Sequence, residues 1–300
     1  MEDQSPSSTA LVTARMRTIH TVSDPQPIIN DPWGSKLAMA STLAAIKSGV
    51  EVPSGNESEM EELVDDMLRS SPAYANVIAR SCYSEDALLS AISGGVNQYV
   101  LIGAGYDSYA LRRPPEAQRL EIFEIDHPST QAMKKQRLAE CGVPDGGGVH
   151  FIAADLGQES VASALTRSTF QPTERAFLSW LGVTMYLTRE ANMATLGSVA
   201  QCCAPGTELV FSYVDQRIFE SGSTSATAEH FARLGREVEN YGEPFVSGFD
   251  PFTLANDLRD VGLNLEEDLD DRQVLQRFDP SDANGLRSAS ISRIARVRVI

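Results

Sequence analysis

Cysteine is scarce in this chain. Its 300 residues contain four cysteines, Cys82, Cys141, Cys202 and Cys203, and no Cys-x-x-Cys pair. Because structural zinc sites usually draw on cysteines at such spacings, we predict that no metal is bound. Isolated thiols in a chain of this size are typical of reduced cysteines in a reducing cytosol.

Long apolar runs and basic clusters are also missing. No stretch approaches the roughly 18 apolar residues that suggest a membrane-spanning helix, so we expect no membrane partner. The first ten residues, MEDQSPSSTA, lack the features of a signal peptide. The formal net charge is -16 and no Lys/Arg cluster occurs, which argues against a nucleic-acid partner. These absences predict a cytoplasmic protein and leave its oligomeric state open.

The chain has enough apolar residues, 42%, to bury a sizeable core. Its first part is helical in pattern, with apolar residues at helical spacing and several helix-start signals. We predict helices over residues 10–20, from Asp31-Pro32, over 60–68, from Pro72, and over 84–92. Together they predict an N-terminal helical cap over residues 1–95.

From Gln98 onward, strand and helix patterns alternate. We predict strands at 98–102, 120–125, 149–153, 175–180, 207–213, 263–267 and 291–299, with helices at 129–140 and 189–203. This alternation predicts an α/β fold with a mostly parallel, Rossmann-like sheet in residues 96–300. The polar segment 216–250 interrupts it and is interpreted as a lid over the site, although an ordinary surface insertion fits equally well.

A glycine turn, Gly103-Ala104-Gly105, follows the first strand. Two glycines one residue apart allow a sharp turn and a close approach of the backbone to a ligand. About 20 residues later the second strand ends in Asp126, the layout of a nucleotide site in which an acid binds the ribose. A nicotinamide-dependent dehydrogenase is the weaker alternative, because Ser108 replaces the third glycine and no Tyr-x-x-x-Lys pair occurs.

A third acid, Asp155, ends the next strand. The carboxyl ends of neighbouring parallel strands meet at one edge of a sheet, so Asp155 should lie beside Asp126 and the glycine turn. The three features suit the backbone turn, the ribose and the adenine of one nucleoside. Taken alone, Asp155 would be interpreted as a helix cap.

Several motifs between about residues 10 and 215 match one family when taken together. They are Asp31-Pro32, Ala79-Arg80-Ser81, QYVLIGAGYDS at 98–108, EIDHP at 124–128 with Gln131 and Lys134, ADL at 154–156, and WLGVTMYL at 180–187. This set resembles the leucine carboxyl methyltransferase family, in its bacterial branch of O-methyltransferases of polyketide-type pathways. The resemblance implies a class I methyltransferase fold with seven strands, the last reversed. It also implies S-adenosyl-L-methionine as cofactor and a small-molecule carboxylate or phenol as methyl acceptor.

The resemblance further implies roles for individual residues. Arg80 would bind the methionine carboxylate, and Arg17 would assist on the same group. The other implied cofactor contacts are Gly103, Ala104 and Gly105 along the methionyl part, Asp126 on the ribose, His127 at the cofactor edge, and Asp155 and Leu156 around the adenine.

Two positions depart from the family pattern. Tyr109 stands where many members have an arginine, and Leu181 stands where many have a glutamate. Both changes remove a charge near the site, so the substrate of the protein-modifying members, a phosphatase C-terminus, is not carried over. They also leave open a catalytically silent nucleoside-binding module.

The sequence contains no recognisable catalytic triad, and methyl transfer from a sulfonium does not require one. The reaction is an in-line displacement to which alignment contributes most. A carboxylate acceptor is ionised at neutral pH, whereas a phenol, with a pKa of about 10, would benefit from a base. The weak candidates for that base are His20, His230 and Tyr186.

Overall fold

The computed structural model describes residues 7–38, 57–219, 244–288 and 292–300. Seven strands in these residues form one sheet of order β3-β2-β1-β4-β5-β7-β6. They are β1 Gln98–Ile102, β2 Glu121–Asp126, β3 Val149–Ala153, β4 Phe177–Trp180, β5 Glu208–Val214, β6 Leu263–Asp270 and β7 Ser292–Val299. Strands β1 to β5 are parallel, whereas β7 runs antiparallel to both β5 and β6.

This topology confirms the predicted Rossmann-like sheet with a reversed last strand. The largest differences from the predicted strands occur at β4, which begins at Phe177, and at β6, which continues to Asp270. Strands β1, β2, β4 and β5 were predictable because they are largely buried on both faces and read as short apolar runs bounded by turns. The sheet is that of a class I methyltransferase fold.

Helices cover the sheet on both faces. They are α1 Ser8–Ser23, α2 Glu57–Arg69, α3 Ala73–Ser93, α4 Tyr109–Arg112, α5 Pro128–Glu140, α6 Val161–Leu165, α7 Arg189–Cys202, α8 Leu254–Asp260 and α9 Asp271–Phe278. A 3₁₀ turn follows β4 at Thr184–Tyr186. Among the described residues, no helix has the length and apolar character needed to span a bilayer.

The two helices predicted between residues 72 and 92 are one helix, so the predicted break before Ser84 was wrong. Helix α3 runs unbroken for 21 residues. Glu85, which a helix over 84–92 would place as a favourable acid in its first turn, lies in the middle of α3. Its Oε2 accepts a hydrogen bond from Arg112 Nη1 at 2.8 Å. This tertiary ion pair, and not helix capping, accounts for the acid.

Two hydrophobic clusters occupy the two faces of the sheet. One contains Met16 of α1 and Ile78 of α3 together with Leu101 of β1. The other contains Val100 of β1 and Leu196 of α7. Neighbouring residues of β1 therefore point to opposite faces, as strand geometry requires. The N-terminal helices share their core with the sheet, and a boundary near residue 95 stays a prediction.

The predicted lid, residues 216–250, lies largely outside the described part of the chain, and so does its predicted helix at 226–239. Its described C-terminal end is held by backbone hydrogen bonds. The amide of Val246 donates to the Met185 carbonyl at 2.7 Å, and that of Phe249 donates to the Val214 carbonyl at 3.0 Å. The segment is therefore anchored beside the 3₁₀ turn that follows β4.

Candidate cofactor and acceptor site

A cavity of about 300 Å³ lies at the carboxyl edge of the sheet, where β1 separates β2 from β4. The strand order reverses at this point, which is where α/β sheets usually bind ligands. The predicted site residues in its lining are Arg17, Arg80, Gly103, Ala104, Gly105, Asp126 and Tyr186. The structure therefore brings together residues that lie up to 169 positions apart in the sequence.

The glycine turn after β1 forms one wall of the cavity. Gly103 and Gly105 have φ angles of 68° and 51°, a region that other residues rarely adopt. A Cβ atom at Gly103 would lie 2.5 Å from Val183 Cγ2. The amides of Gly103 and Ala104 both donate to the Ile125 carbonyl, at 2.9 and 3.2 Å. These bonds tie the turn to β2 and leave its backbone against the cavity.

Asp126 ends β2 on the opposite side of this turn. Its carboxylate accepts hydrogen bonds from the backbone amide of His127, at 2.6 Å, and from that of Gly105. Burial raises the pKa of this half-buried acid, while the two amides oppose the shift. The carboxylate is thus held in a fixed orientation at the cavity wall, a geometry that fits the predicted ribose contact.

Arg80 extends from α3 into the cavity. Its Nη1 donates to Asn76 Oδ1 at 3.1 Å, and its guanidinium lies against the backbone of Gly182. Burial lowers the pKa of Arg80 to about 10, so the side chain still carries its charge at neutral pH. A half-buried cation that donates to a neutral amide retains most of its attraction for an anionic ligand.

Arg17 lines the same cavity but differs in its partners. Its Nε donates to Asp31 Oδ2 at 2.8 Å, and its Nη2 donates to the Tyr106 carbonyl at 2.9 Å. Its charge is therefore balanced by a fully buried carboxylate. Of these two arginines, Arg80 is the better candidate for the methionine carboxylate, and Arg17 is more rigidly held.

Asp31, which with Pro32 marks a predicted helix start, has a larger role than capping that helix. Its Oδ1 accepts the amides of Trp33 and Gly34, and it also accepts the Ser108 hydroxyl at 2.6 Å. Although burial opposes it, the charges of Arg17 and Arg112 keep the pKa of Asp31 below its usual value. Ser108, which replaces the third glycine of the dinucleotide pattern, therefore connects the glycine turn to the N-terminal helices.

Three predicted cofactor residues lie outside the cavity lining. His127 is exposed, and its Nδ1 lies 2.8 Å from Ser129 Oγ at the start of α5. Asp155 accepts hydrogen bonds from the Gly157 amide at 2.9 Å and from Gln158 Nε2 at 2.7 Å. Leu156 packs against one hydrophobic cluster. They follow β2 and β3 at the same sheet edge, and their cofactor roles stay predictions.

His20, one candidate base, has a structural environment that corrects its predicted role. The side chain is fully buried, and its Nδ1 lies 2.5 Å from Asp24 Oδ2. Its Nε2 accepts the amide of Ile28 at 2.8 Å. Both ring nitrogens are engaged away from the cavity, so His20 is not placed to accept a proton from a substrate. His230 lies outside the described residues.

Tyr186 is the third candidate, and it does line the cavity. Its ring lies 5.8 Å from that of Phe245, at the anchored end of the predicted lid. Leu181 and Val183 line the same region. This part of the cavity presents apolar and aromatic surface and suits an organic acceptor.

Sequence reasoning missed several lining residues. Gly182 and Asp107 lie within the family motifs, so their positions in those motifs could have identified them as lining residues. Thr9, Ala10 and Thr13 come from α1, which passes over the glycine turn with Ala10 close to Gly105. No local pattern in α1 reveals that contact.

The comparisons with known proteins decide the family. The model of the leucine carboxyl methyltransferase family matches residues 10–200, more than half of the chain. The chain belongs to this family. It is an S-adenosyl-L-methionine-dependent methyltransferase, and S-adenosyl-L-methionine is its cofactor. The reversed strand β7 agrees with this assignment and disfavours the dehydrogenase alternative, because dinucleotide-binding sheets are mostly parallel.

Relatives of similar length support the assignment. The chain is 29% identical over 286 residues to YktD of Bacillus subtilis, a candidate S-adenosyl-L-methionine-dependent methyltransferase, with 93% of each chain covered. A relative from Mycolicibacterium smegmatis with the same description is 28% identical over 237 residues, covering 77% of this chain and 75% of the relative.

Two crystal structures share the fold. A DUF574 family protein from Streptomyces avermitilis superposes with a TM-score of 0.58 at 14% identity, covering 96% of this chain and 97% of that one. A candidate methyltransferase from Thermobifida fusca superposes with a TM-score of 0.54 at 15% identity, covering 99% of this chain and 96% of that one. At these identities the likeness concerns the fold alone.

Proposed function

We propose that this enzyme is an O-methyltransferase that methylates a carboxylate oxygen of a small molecule. One observation carries the choice of a carboxylate. Among the described residues that line the cavity there is no histidine, the side chain that most often serves as a general base. Such a lining suits an anionic acceptor that needs no general base.

The chemistry agrees with this lining. The cofactor supplies a methyl group on a positively charged sulfur, an electrophile that needs no activation by the protein. A carboxylic acid with a pKa of about 4 is already ionised at neutral pH, so its oxygen is ready to attack. The contribution of the protein is alignment of nucleophile, methyl group and leaving sulfur. In this proposal the glycine turn, Asp126 and Arg80 orient the cofactor, while Tyr186 and its neighbours hold the acceptor.

The proposal also covers the metabolic role of the enzyme, its cellular location and its lid. The resemblance to the natural-product branch supports an organic acid of polyketide-type secondary metabolism as the acceptor. All four cysteines are free in the structure, which agrees with the proposed cytoplasmic location. The anchored segment at Val246 beside Met185 supports a lid that excludes water from the acceptor.

Paired acceptors test the proposal. Aromatic and aliphatic carboxylic acids are compared with phenols of matched skeleton, and S-adenosylhomocysteine formation is followed from pH 6 to 9. We expect turnover with acids at a rate that is nearly flat with pH. Turnover restricted to phenols, with a rate that rises with pH, would identify base-assisted phenol methylation instead. Intact cofactor binding without turnover across a broad panel would favour the silent nucleoside-binding module.

A further inference from the structure

Arg80 is the first member of a chain of hydrogen bonds that leads out of the cavity. Its Nη1 donates to Asn76 Oδ1 at 3.1 Å, and Asn76 Nδ2 donates to Asp271 Oδ1 at 3.0 Å. Asn76 and Arg80 stand one turn apart on α3, a spacing that brings side chains together. Asp271 belongs to α9, beyond the residues that match the family model.

Asp271 is a buried acid that α9 does not need as its N-terminal cap. The N-terminus of α9 is capped by Asp270, whose Oδ1 accepts the Gln273 amide at 2.9 Å. Asp271 is only 6% exposed, and its Oδ2 accepts the Ser288 hydroxyl at 3.2 Å. A buried carboxylate is costly unless it is well paired. Of its two polar partners, Asn76 connects it to Arg80, which also acts on it electrostatically.

Two other acids near α9, Glu267 and Asp268, are paired with arginines. Glu267 of β6 accepts hydrogen bonds from Arg277 at 2.7 Å and from the Tyr83 hydroxyl at 2.5 Å. Asp268 of β6 pairs with Arg293 of β7 at 2.9 Å. Neither acid contacts Asn76 in the described structure, so Asp271 is the carboxylate that links Asn76 to α9.

The amide of Asn76 satisfies both neighbours in one orientation only. A guanidinium donates and never accepts, whereas an ionised carboxylate accepts and never donates. The amide must turn its oxygen to Arg80 and its nitrogen to Asp271, as observed. We propose that Asn76 is a positioning residue, fixed by Asp271, that aims the guanidinium of Arg80 at the carboxylate of the cofactor. The inference rests on Arg80 as the carboxylate-binding residue.

A double-mutant cycle in Asn76 and Arg80 tests this inference. Titration calorimetry measures two ligands, S-adenosylhomocysteine and 5′-methylthioadenosine, of which the second lacks the amino-acid carboxylate. Asn76→Ala should weaken S-adenosylhomocysteine about tenfold, the scale of one charge-assisted hydrogen bond. It should leave 5′-methylthioadenosine within about twofold, which also shows that the site is folded. In an Arg80→Ala background, Asn76→Ala should have no further effect.

Variants of Asp271 test the second link. Asp271→Asn keeps an acceptor for the Asn76 amide and should bind S-adenosylhomocysteine nearly as the wild type does. Asp271→Leu removes that acceptor and should reproduce the loss seen in Asn76→Ala. Asn264→Ala is the matched control, because it removes an exposed asparagine whose side chain donates to Glu266 at 2.8 Å. Asn264 lies at the N-terminal end of β6, away from the carboxyl edge of the sheet where the cavity lies.

The outcomes separate the inference from its premise. Unchanged S-adenosylhomocysteine affinity in Arg80→Ala would refute the assignment of Arg80 itself. A loss in Arg80→Ala without a loss in Asn76→Ala would refute the positioning role alone. Equal losses for both ligands, or an undiminished effect of Asn76→Ala in the Arg80→Ala background, would mark Asn76 as merely structural.

Discussion

Gly182 supports the guanidinium of Arg80, and replacing it with alanine is the sharpest test of the site. A Cβ atom at this position would lie 2.5 Å from Arg80 Nη2, 2.8 Å from Cζ and 2.9 Å from Nη1. The φ angle of Gly182 is +72°, so alanine also strains the backbone. The guanidinium lies at the end of a flexible side chain, so the alanine Cβ should displace it from its present position at the cavity.

The expected magnitudes separate stability from binding. A non-glycine residue in the left-handed region costs about 1–2 kcal/mol of stability. Displacing the cation should cost a charge-assisted bond of about 1.5–3 kcal/mol in cofactor affinity, or roughly a 10- to 100-fold higher dissociation constant. Gly182→Ala should therefore fold with slightly reduced stability and bind S-adenosylhomocysteine far more weakly.

Gly142 provides the matched control. Its φ angle is +80°, and nothing lies within 4 Å of a Cβ atom placed there. Gly142→Ala should carry the same backbone cost in a denaturant titration and leave ligand affinity unchanged in calorimetry. If the two variants bind S-adenosylhomocysteine equally well, the inferred position of Arg80 is incorrect.

Three further variants test other parts of the account. Asp126→Ala should weaken S-adenosylmethionine by about 1.5–3 kcal/mol in calorimetry; a folded variant with unchanged affinity would remove the ribose assignment. Gly103→Ala should disturb the turn, since its Cβ would meet Val183 at 2.5 Å, and its cofactor affinity should fall by more than tenfold; unchanged affinity would contradict a role of the glycine turn in cofactor binding. Burial raises the pKa of Asp271 from 3.8 to about 6. The folded state therefore binds the carboxyl proton more tightly than the unfolded state does, and ionisation of Asp271 destabilises the fold as the pH rises from about 4 to 6. Asp271→Asn should therefore be up to about 3 kcal/mol more stable at pH 7, with the gain shrinking towards pH 4 in denaturant titrations; a gain independent of pH would refute the cause.

The sheet and its glycine turn were predictable because their determinants are local. A strand buried on both faces is a short apolar run, and Gly103 and Gly105 mark a turn that side chains would obstruct. The predicted helix break before Ser84 was wrong because Glu85 forms an ion pair with Arg112, 27 residues away, and does not stand at a helix start. Local signals cannot distinguish an acid that caps a helix from one that pairs across the fold.

The candidate site was only partly predictable for the same reason. Arg80 followed from the family resemblance, but its contacts with Asn76 and Gly182 depend on how α3 packs beside β4. His20 was a reasonable candidate by residue type, yet its partners, Asp24 and Ile28, emerge only when the loop after α1 folds back. The roles of these two side chains depend on their burial and on the geometry of their partners, and sequence spacing predicts neither.

The chemical nature of the methylated product tests the central claim most directly. The enzyme is incubated with methyl-labelled S-adenosylmethionine and an acid that it accepts, and the purified product is treated with mild alkali. The account predicts a methyl ester, which alkali hydrolyses, so the label should leave as volatile methanol and the parent acid should be recovered. A product that keeps its label under these conditions would be an ether or an amine, and it would contradict transfer to a carboxylate oxygen.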